Sequence, residues 1–421
     1  MSARSRLIAA AALVAIAAPA LLAFRFVLVN GSVALSWDDW ERVPLYASYL
    51  RGEVTLTTLF AQHNEHRIFL GRMLILISDS LSSMDSRPLL WMSLLCLSLS
   101  AAVLFLDFRG QSPRPLLAFA PVAWLVFSLR QAENLLWGWQ MQLCLCALFA
   151  VVALHLLAQR RPPAFAILAG LGASFSFFSG LLIWPAGALQ IALDPRDRPR
   201  RLTWWCGSGA LTLALYFRGW VHPDSHPSLL SVLRAPLQGL TYFLACVGNP
   251  LAIDPWSAVG MGAALLGLYF AASYLFLRGP RRPTLAPGLL VFSLATSATL
   301  AVGRSGFGIE QALASRYTTF TLLGVVALYL LLLNLEGRLR DALLGACLAL
   351  CAAGGFVAWR GGTLAGNVAR RARAEQAQIL RAWRTEPDEA FVAIYPSAAR
   401  VRGDAAFLET HELNVFKQRL H

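Results

Sequence analysis

Long apolar runs separated by short polar connectors make up most of the chain, and their lengths set the first reading. Runs at about 88–107, 115–129, 139–158, 164–178, 181–193, 202–219, 257–277, 284–303, 318–335 and 341–358 carry few charges. As helices, runs of roughly 20 apolar residues cross a hydrocarbon core of about 30 Å. No stretches of about ten residues alternate apolar and polar positions as a transmembrane barrel requires, so every span is predicted helical. Ahead of them, behind the basic Met1–Arg6, an apolar stretch runs from Leu7 to Ala23 and on through Phe26-Val27-Leu28-Val29. Small residues near the end of Leu7–Ala23 resemble a signal-peptide cleavage region. Its length of about 23 residues instead fits an uncleaved anchor and brings the count to about eleven spans. The runs 164–178 and 181–193 are short, and they demand a tight hairpin around Phe178-Ser179-Gly180 packed within the protein.

Arg-rich connectors give the orientation: Arg109 to Arg114, Arg160-Arg161, Arg196 to Arg201, Arg278 to Arg282, and Arg338 with Arg340. Placing all of them on the cytoplasmic side closes the count, with a cytoplasmic N-terminus and an extracytoplasmic C-terminus. One segment resists. Ile68 to Met84 is apolar enough for a helix, yet as a span it would move every later Arg cluster to the wrong side. Its polar Arg72, Ser78, Asp79 and Ser82 suit a helix lying along the outer interface, and a true span that breaks the charge rule is the alternative. The expected organisation is a transmembrane bundle over 1–358, in which 30–87 is a long outer loop with an acidic pair and an interfacial helix. A small extracytoplasmic C-terminal tail domain follows over 359–421. That tail opens with the basic helical pattern Arg370-Arg371-Ala372-Arg373-Ala374-Glu375. Its roughly 60 residues can bury only a modest core, so it is expected to pack on the outer face and to close a cleft there.

Composition agrees with the pattern. Of 421 residues 57% are hydrophobic and 14% charged, and the mean hydropathy is +0.57, which excludes an ordinary soluble domain. The net charge of +13 sits mainly in the connectors and reports topology, so no nucleic-acid partner is implied. The seven cysteines fall within or beside apolar runs and outline no disulfide framework; Cys144 and Cys146 read as small hydrophobes in a helix.

The remaining polar residues gather in loops assigned to one face, where ionisable groups near the membrane are functional candidates. The first outer loop holds Trp37-Asp38-Asp39-Trp40, then His63-Asn64-Glu65-His66-Arg67. A carboxylate there can act as a general base or ligate a divalent metal; two solvated loop acids between interfacial tryptophans are the plain alternative. His63 and His66 share a helical face with Glu65 nearby, which leaves open a metal site, a phosphate contact with Arg67, or an interfacial cluster. In the second loop Glu133, Asn134 and Gln140 lie beside Trp137 and Trp139, amides and indoles of the kind that hold sugars or simply anchor helix ends. In a later loop Arg304 and Arg316-Tyr317 flank Gly306, Gly308 and Glu310. Two arginines suit bidentate phosphate binding, or they pair with Glu310.

Taken together, an acidic pair just past the first helix, an interfacial helix in the same loop, and short helices with basic and aromatic outer loops resemble the GT-C superfamily of integral-membrane glycosyltransferases. The Asn-Glu-His-Arg, Glu-Asn-Leu-Leu-Trp-Gly-Trp-Gln and Ser-Arg-Tyr stretches look like those of uncharacterised bacterial membrane proteins of that kind. The resemblance covers about residues 1 to 358. It implies an all-α polytopic fold and transfer of a sugar from a polyprenyl-phosphate donor to a glycan or lipid acceptor. It also implies inversion, with Asp38 or Asp39 as base, in a bacterial inner membrane among membrane lipids. The short tail departs from the large soluble C-terminal domain of many such enzymes. No glycine-rich nucleotide loop occurs, which favours a lipid-linked donor; no cofactor is identified, and a divalent metal at Asp38 and Asp39 stays open. The rival readings are a transporter or flippase for a lipid-linked or polar solute, and a non-catalytic envelope-assembly scaffold.

Overall fold

A computed structural model describes residues 3–417 except 110, 111, 113, 195, 225, 229, 230 and 280–282. Arg281 and Arg282 of the fourth basic connector, and Gln111 and Pro113 of the first, lie outside the described residues. The helices that build the fold are α1 (Ala3–Asn30), α2 (Arg42–Leu50), α3 (Phe69–Ser82), α4 (Arg87–Phe108) and α5 (Pro115–Val126). They continue with α6 (Met141–Ala158), α7 (Pro163–Ser174), α8 (Ile183–Ala192), α9 (Arg198–Phe217) and α10 (Pro236–Gly248). The last are α11 (Pro255–Arg278), α12 (Ala286–Arg304), α13 (Thr318–Leu333), α14 (Arg338–Arg381) and α15 (Ala398–Thr410).

The protein is an all-α polytopic membrane protein. Among the described residues, eight helical stretches are long and apolar enough to cross a membrane. The eleven apolar runs correspond to α1, α4 to α9 and α11 to α14. The short α7 and α8 form the expected hairpin. At Gly180 an added Cβ would sit 1.9 Å from the Ala173 carbonyl oxygen, so only glycine lets the two arms close. The indole Nε1 of Trp184 then donates to Ser174 Oγ at 3.0 Å inside the pair. Unexpected is α10, whose 13 residues and proline start lie between the apolar runs 202–219 and 257–277, where the sequence marks no span.

The chain runs back and forth so that polar connectors gather at two ends. At one end Asp194 receives Arg160 and Arg201, both at 2.8 Å, and Asp107 accepts from Thr284 Oγ1 at 3.2 Å. At the other end are the loops after α1, α5 and α12. The helix α3 has 14 residues, about 21 Å, too short to cross a core of about 30 Å. Met73, Ile77 and Leu81 form one exposed apolar row, while Ile75, Ser78 and Asp79 are buried, the two-faced pattern of a helix lying along an interface.

The 44 residues of α14 make one rod of about 66 Å. The domain boundary expected at 358/359 falls within it, so the tail begins as a continuation of a spanning helix. Its buried positions, Gly354, Ala358, Gly362, Gly366, Arg373, Gln376 and Leu380, follow helical spacing along one face. Beyond α14, Phe391, Ile394, Val401, Ala405 and Leu408 bury against Leu35, Trp40, Val43 and Tyr46 of the first loop in a second small core. The tail thus clasps the loop that carries the acidic pair, with Asn414 N–H donating to Ser83 O at 2.8 Å.

Candidate functional site

The acidic pair sits on a tight 3-10 turn, Trp37–Glu41, directly after α1. Trp37 enters it in the left-handed region at φ 49°, a conformation that costs a bulky residue energy, and its N–H donates to Ile394 O of the tail at 3.4 Å. The two acids then diverge. Asp39 is fully buried: Oδ1 accepts from Trp139 N–H at 2.9 Å and Oδ2 from Ser36 N–H at 3.3 Å. Its counter-charge is Arg42 at 3.5 Å, itself fully buried. Arg42 also donates from Nε to Asp79 at 3.2 Å and from Nη1 to Ser86 Oγ at 2.8 Å, and Nη2 closes a second contact with Asp79. This group ties the first loop, the interfacial helix and the start of α4 into one block. Asp38, by contrast, faces a cavity of about 640 Å³.

That cavity collects side chains from six separate stretches, one of them the α7–α8 hairpin through Phe177. The first loop gives Trp37, Asp38, Asn64 and the two histidines; the loop between α5 and α6 gives Glu133, Trp137, Trp139 and Gln140. Arg304 comes from the end of α12, Arg316 and Tyr317 from the turn before α13, and Arg373 and Gln376 from α14. Each loop is fixed locally. His63 and His66 exchange backbone hydrogen bonds at 2.9 and 2.8 Å around Asn64, whose φ of 49° an asparagine tolerates. Arg316 is latched by Glu133, which accepts its backbone N–H at 2.8 Å and its Nη1 at 3.2 Å. Arg304 pairs with Glu65.

The electrostatics distinguish the groups. Burial, reinforced by Asp39, raises the Asp38 carboxyl to about 6 against the pull of Arg316 and Arg304. Burial pushes both His63 and His66 down to about 4, so they are neutral at physiological pH. His66 Nδ1 accepts from Phe178 N–H at 3.4 Å, which places the ring proton on Nε2, 3.5 Å from Glu65. For Glu65, burial would raise the pKa, but the fields of His66 and Arg304 outweigh it and hold the group at about 2.

Of the residues expected from the sequence, Asp38, His63, His66, Glu133, Trp137, Gln140, Arg304, Arg316 and Tyr317 line this one cavity. Five do not. Asp39 is withdrawn into its buried ion pair, so the adjacent acids do not offer two carboxylates to one substrate proton or one metal. Arg67 is a backbone staple, its guanidinium donating to the carbonyls of Tyr216, Phe60 and Arg218 at 2.6, 2.8 and 2.7 Å. Asn134 is buried beneath the arginine turn and donates to Arg316 O at 2.8 Å and Thr319 Oγ1 at 2.7 Å. Glu65 reaches the adjoining apolar pocket of about 300 Å³ beside Phe217 and Trp220. Glu310 is exposed and partners neither arginine, because Glu65 and Glu133 do. Among the described residues no three His, Cys, Asp or Glu side chains are grouped to hold a metal ion.

Arg373 and Gln376 escaped the sequence reading because the run Arg370 to Glu375 looks like a solvated face. The signal was present in phase: Gly362, Gly366, Arg373 and Gln376 share the face of α14 that is buried lower down.

The fold and the site therefore define a polytopic membrane protein with a cavity lined by charged, amide and aromatic side chains at one end of its helices. No family model matches the sequence, and no curated protein matches it. Among solved structures the chain is similar to the oligosaccharyltransferase of Archaeoglobus fulgidus in its apo form, with a TM-score of 0.47 and 15% identity. The match covers 92% of this chain and 60% of that one, so the chain is similar to less than two thirds of that protein's length.

Proposed function

We propose that the protein is an integral-membrane glycosyltransferase that moves a sugar from a polyprenyl-phosphate carrier to a hydroxyl of an envelope glycan or lipid. The observation that carries this reading is Asp38: one carboxyl without a hydrogen-bonded cation, facing a cavity that also holds arginines, indoles and amides. A carboxyl near 6 is matched to general-base work at neutral pH, because it is ionised yet still basic. In the proposed step the acceptor hydroxyl gives its proton to Asp38 as its oxygen bonds the anomeric carbon. The bond from that carbon to the phosphate oxygen breaks, its electron pair leaves with the phosphate, and the centre inverts. Trp37, Trp137 and Trp139 offer faces to sugar C–H groups, while Gln140 and Asn64 offer amides to hydroxyls. General-base help contributes about 10²- to 10⁴-fold, and charge stabilisation of the leaving phosphate adds more.

Under the charge rule the cavity end faces away from the cytoplasm in a bacterial inner membrane, where lipid-linked donors are consumed and nucleotide sugars are absent. The test is mass spectrometry of envelope glycans and lipid-linked sugars in a host lacking the gene, complemented with wild type, Asp38→Asn or Asp39→Asn. Loss of one sugar unit, restored by wild type and not by well-expressed Asp38→Asn, is the expected result. Full restoration by Asp38→Asn would refute the base and favour a scaffold or flippase.

A further inference from the structure

The cavity contains three arginines, and two of them are already neutralised. Arg304 is paired with Glu65, and Arg316 with Glu133. Arg373 is different. It is 7% exposed and lines the cavity, its Nη1 is buried without a hydrogen-bond partner, and none of the ion pairs formed by the described residues includes it. The carboxylates whose fields reach it are those of Asp39 and Glu133, and both are committed elsewhere, to Arg42 with two backbone N–H groups and to Arg316. A buried guanidinium without a counter-ion is strongly disfavoured, because its lost hydration is not replaced. A cavity that keeps one is complete only when an anion enters it.

We propose that Arg373 is the anion receptor of this cavity and that it takes the phosphate monoester of a lipid-linked ligand through a forked guanidinium contact. This assignment moves the phosphate from the glutamate-paired Arg304 and Arg316 to the helix that continues into the tail. Its identification with the donor's leaving group rests on the transferase reading, but anion binding itself does not. Guanidinium geometry matches two phosphate oxygens at once, which an ammonium cannot reproduce. Arg304 and Arg316, held by their glutamates, then border the anion without being its principal partners. Ala365, Ala369 and Ala372 of α14 line the same cavity as Arg373, so small side chains border the guanidinium on its own helix.

The test uses the full chain in lipid nanodiscs and the fluorescence of Trp37, Trp137 and Trp139, which line the cavity. Farnesyl phosphate is the probe, farnesol the neutral control, and inorganic phosphate the arm that separates a lipid-borne phosphate from a free one. Wild type is expected to saturate with farnesyl phosphate and to bind farnesol and inorganic phosphate at least about tenfold more weakly. Arg373→Gln should weaken farnesyl phosphate by roughly 10- to 100-fold, the loss of a charge-assisted contact, and Arg373→Lys should recover part of it. Because Arg373→Gln removes an uncompensated buried charge, its ligand-free melting temperature should equal or exceed that of wild type. Unchanged affinity in Arg373→Gln overturns the proposal, and so does a variant that loses binding only because it melts well below wild type. Equal affinity for inorganic phosphate overturns the lipid-borne source. If binding depends on Arg373 while Asp38→Asn still restores the glycan, the transferase reading fails and the receptor stands.

Discussion

Asp39 Oδ1 accepts the backbone N–H of Trp139 at 2.9 Å across 100 residues of chain. This bond, with the Arg42 ion pair behind it, fixes the first loop against the second and leaves Asp38 as the acid that reaches the cavity. The two neighbouring aspartates should therefore fail in different ways. Asp39→Ala strips a buried charge of its partner and should cost about 3–5 kcal/mol, seen as a lower melting temperature and poor yield of folded protein. Asp38→Asn should fold with normal yield and lack activity. An Asp39→Ala protein with wild-type melting behaviour would contradict this division of roles.

The pH dependence of Asp38 has a definite sign. Its folded pKa of about 6 lies above the ordinary 3.8, so the folded state binds the proton more tightly and ionisation between these values reduces stability. Activity should rise with pH through about 6 as the base ionises. Asp38→Asn should melt at a higher temperature than wild type above pH 6 and lose this advantage as the pH falls toward 3.8. Activity that is flat from pH 5 to 7.5 would count against Asp38 as the base.

His63 and His66 work in the opposite direction over an overlapping range. Their folded values of about 4 lie below the ordinary 6.5, so the unfolded chain binds more protons between these limits. The stability they lend is present above 6.5 and is lost as the pH falls toward 4. The expected readout is a melting temperature that drops across this window. In His66→Asn the drop should be shallower, measured against wild type at equal ionic strength.

Arg67 gives a test that separates structure from binding. Two of its guanidinium contacts, to the carbonyls of Tyr216 and Arg218, hold the His63–His66 turn to the end of α9, and the third, to Phe60 O, ties in the segment before that turn. Arg67→Ala should cost about 1–3 kcal/mol from lost hydrogen bonds, with unchanged affinity for a phosphate ligand once the protein is folded. A large affinity loss at normal stability would return Arg67 to the binding site.

Much of this arrangement was legible along the chain. Spans announce themselves because backbone groups in lipid must be satisfied internally, which forces long apolar helices. The acids, histidines and arginines stood out because charge is rare in such a chain. Which of them face the cavity was not legible. Asp38 and Asp39 are identical in type and adjacent, and their separation follows from the hydrogen bond to Trp139, a contact between distant loops. Arg67 and Arg316 likewise looked alike; the backbone of Tyr216 captures one, and Glu133 latches the other beside the cavity. Arg373 hid in a basic run because its helix continues past the apolar span and packs its far end with the first loop, which only the phase of the glycines on α14 foreshadows.

The tail supplies the last expected outcome, because it holds the acidic turn from behind. Arg400 pairs with Glu41 at 2.8 Å and donates to Trp40 O at 3.5 Å, while Tyr395 Oη donates to Glu41 at 3.3 Å. These groups are partly exposed, so the ion pair itself contributes only about 0–1 kcal/mol to stability. Its effect should appear in geometry, since Glu41 and Asp38 share one short turn and small displacements of a reacting group are costly in rate. Arg400→Ala should melt close to wild type and show a kcat lower by about tenfold with little change in KM. Arg400→Lys, which keeps the charge and one contact to Glu41, should lie between. A variant with normal kcat would show that the turn holds Asp38 without the tail. A variant that melts far below wild type would make the clasp a folding element instead.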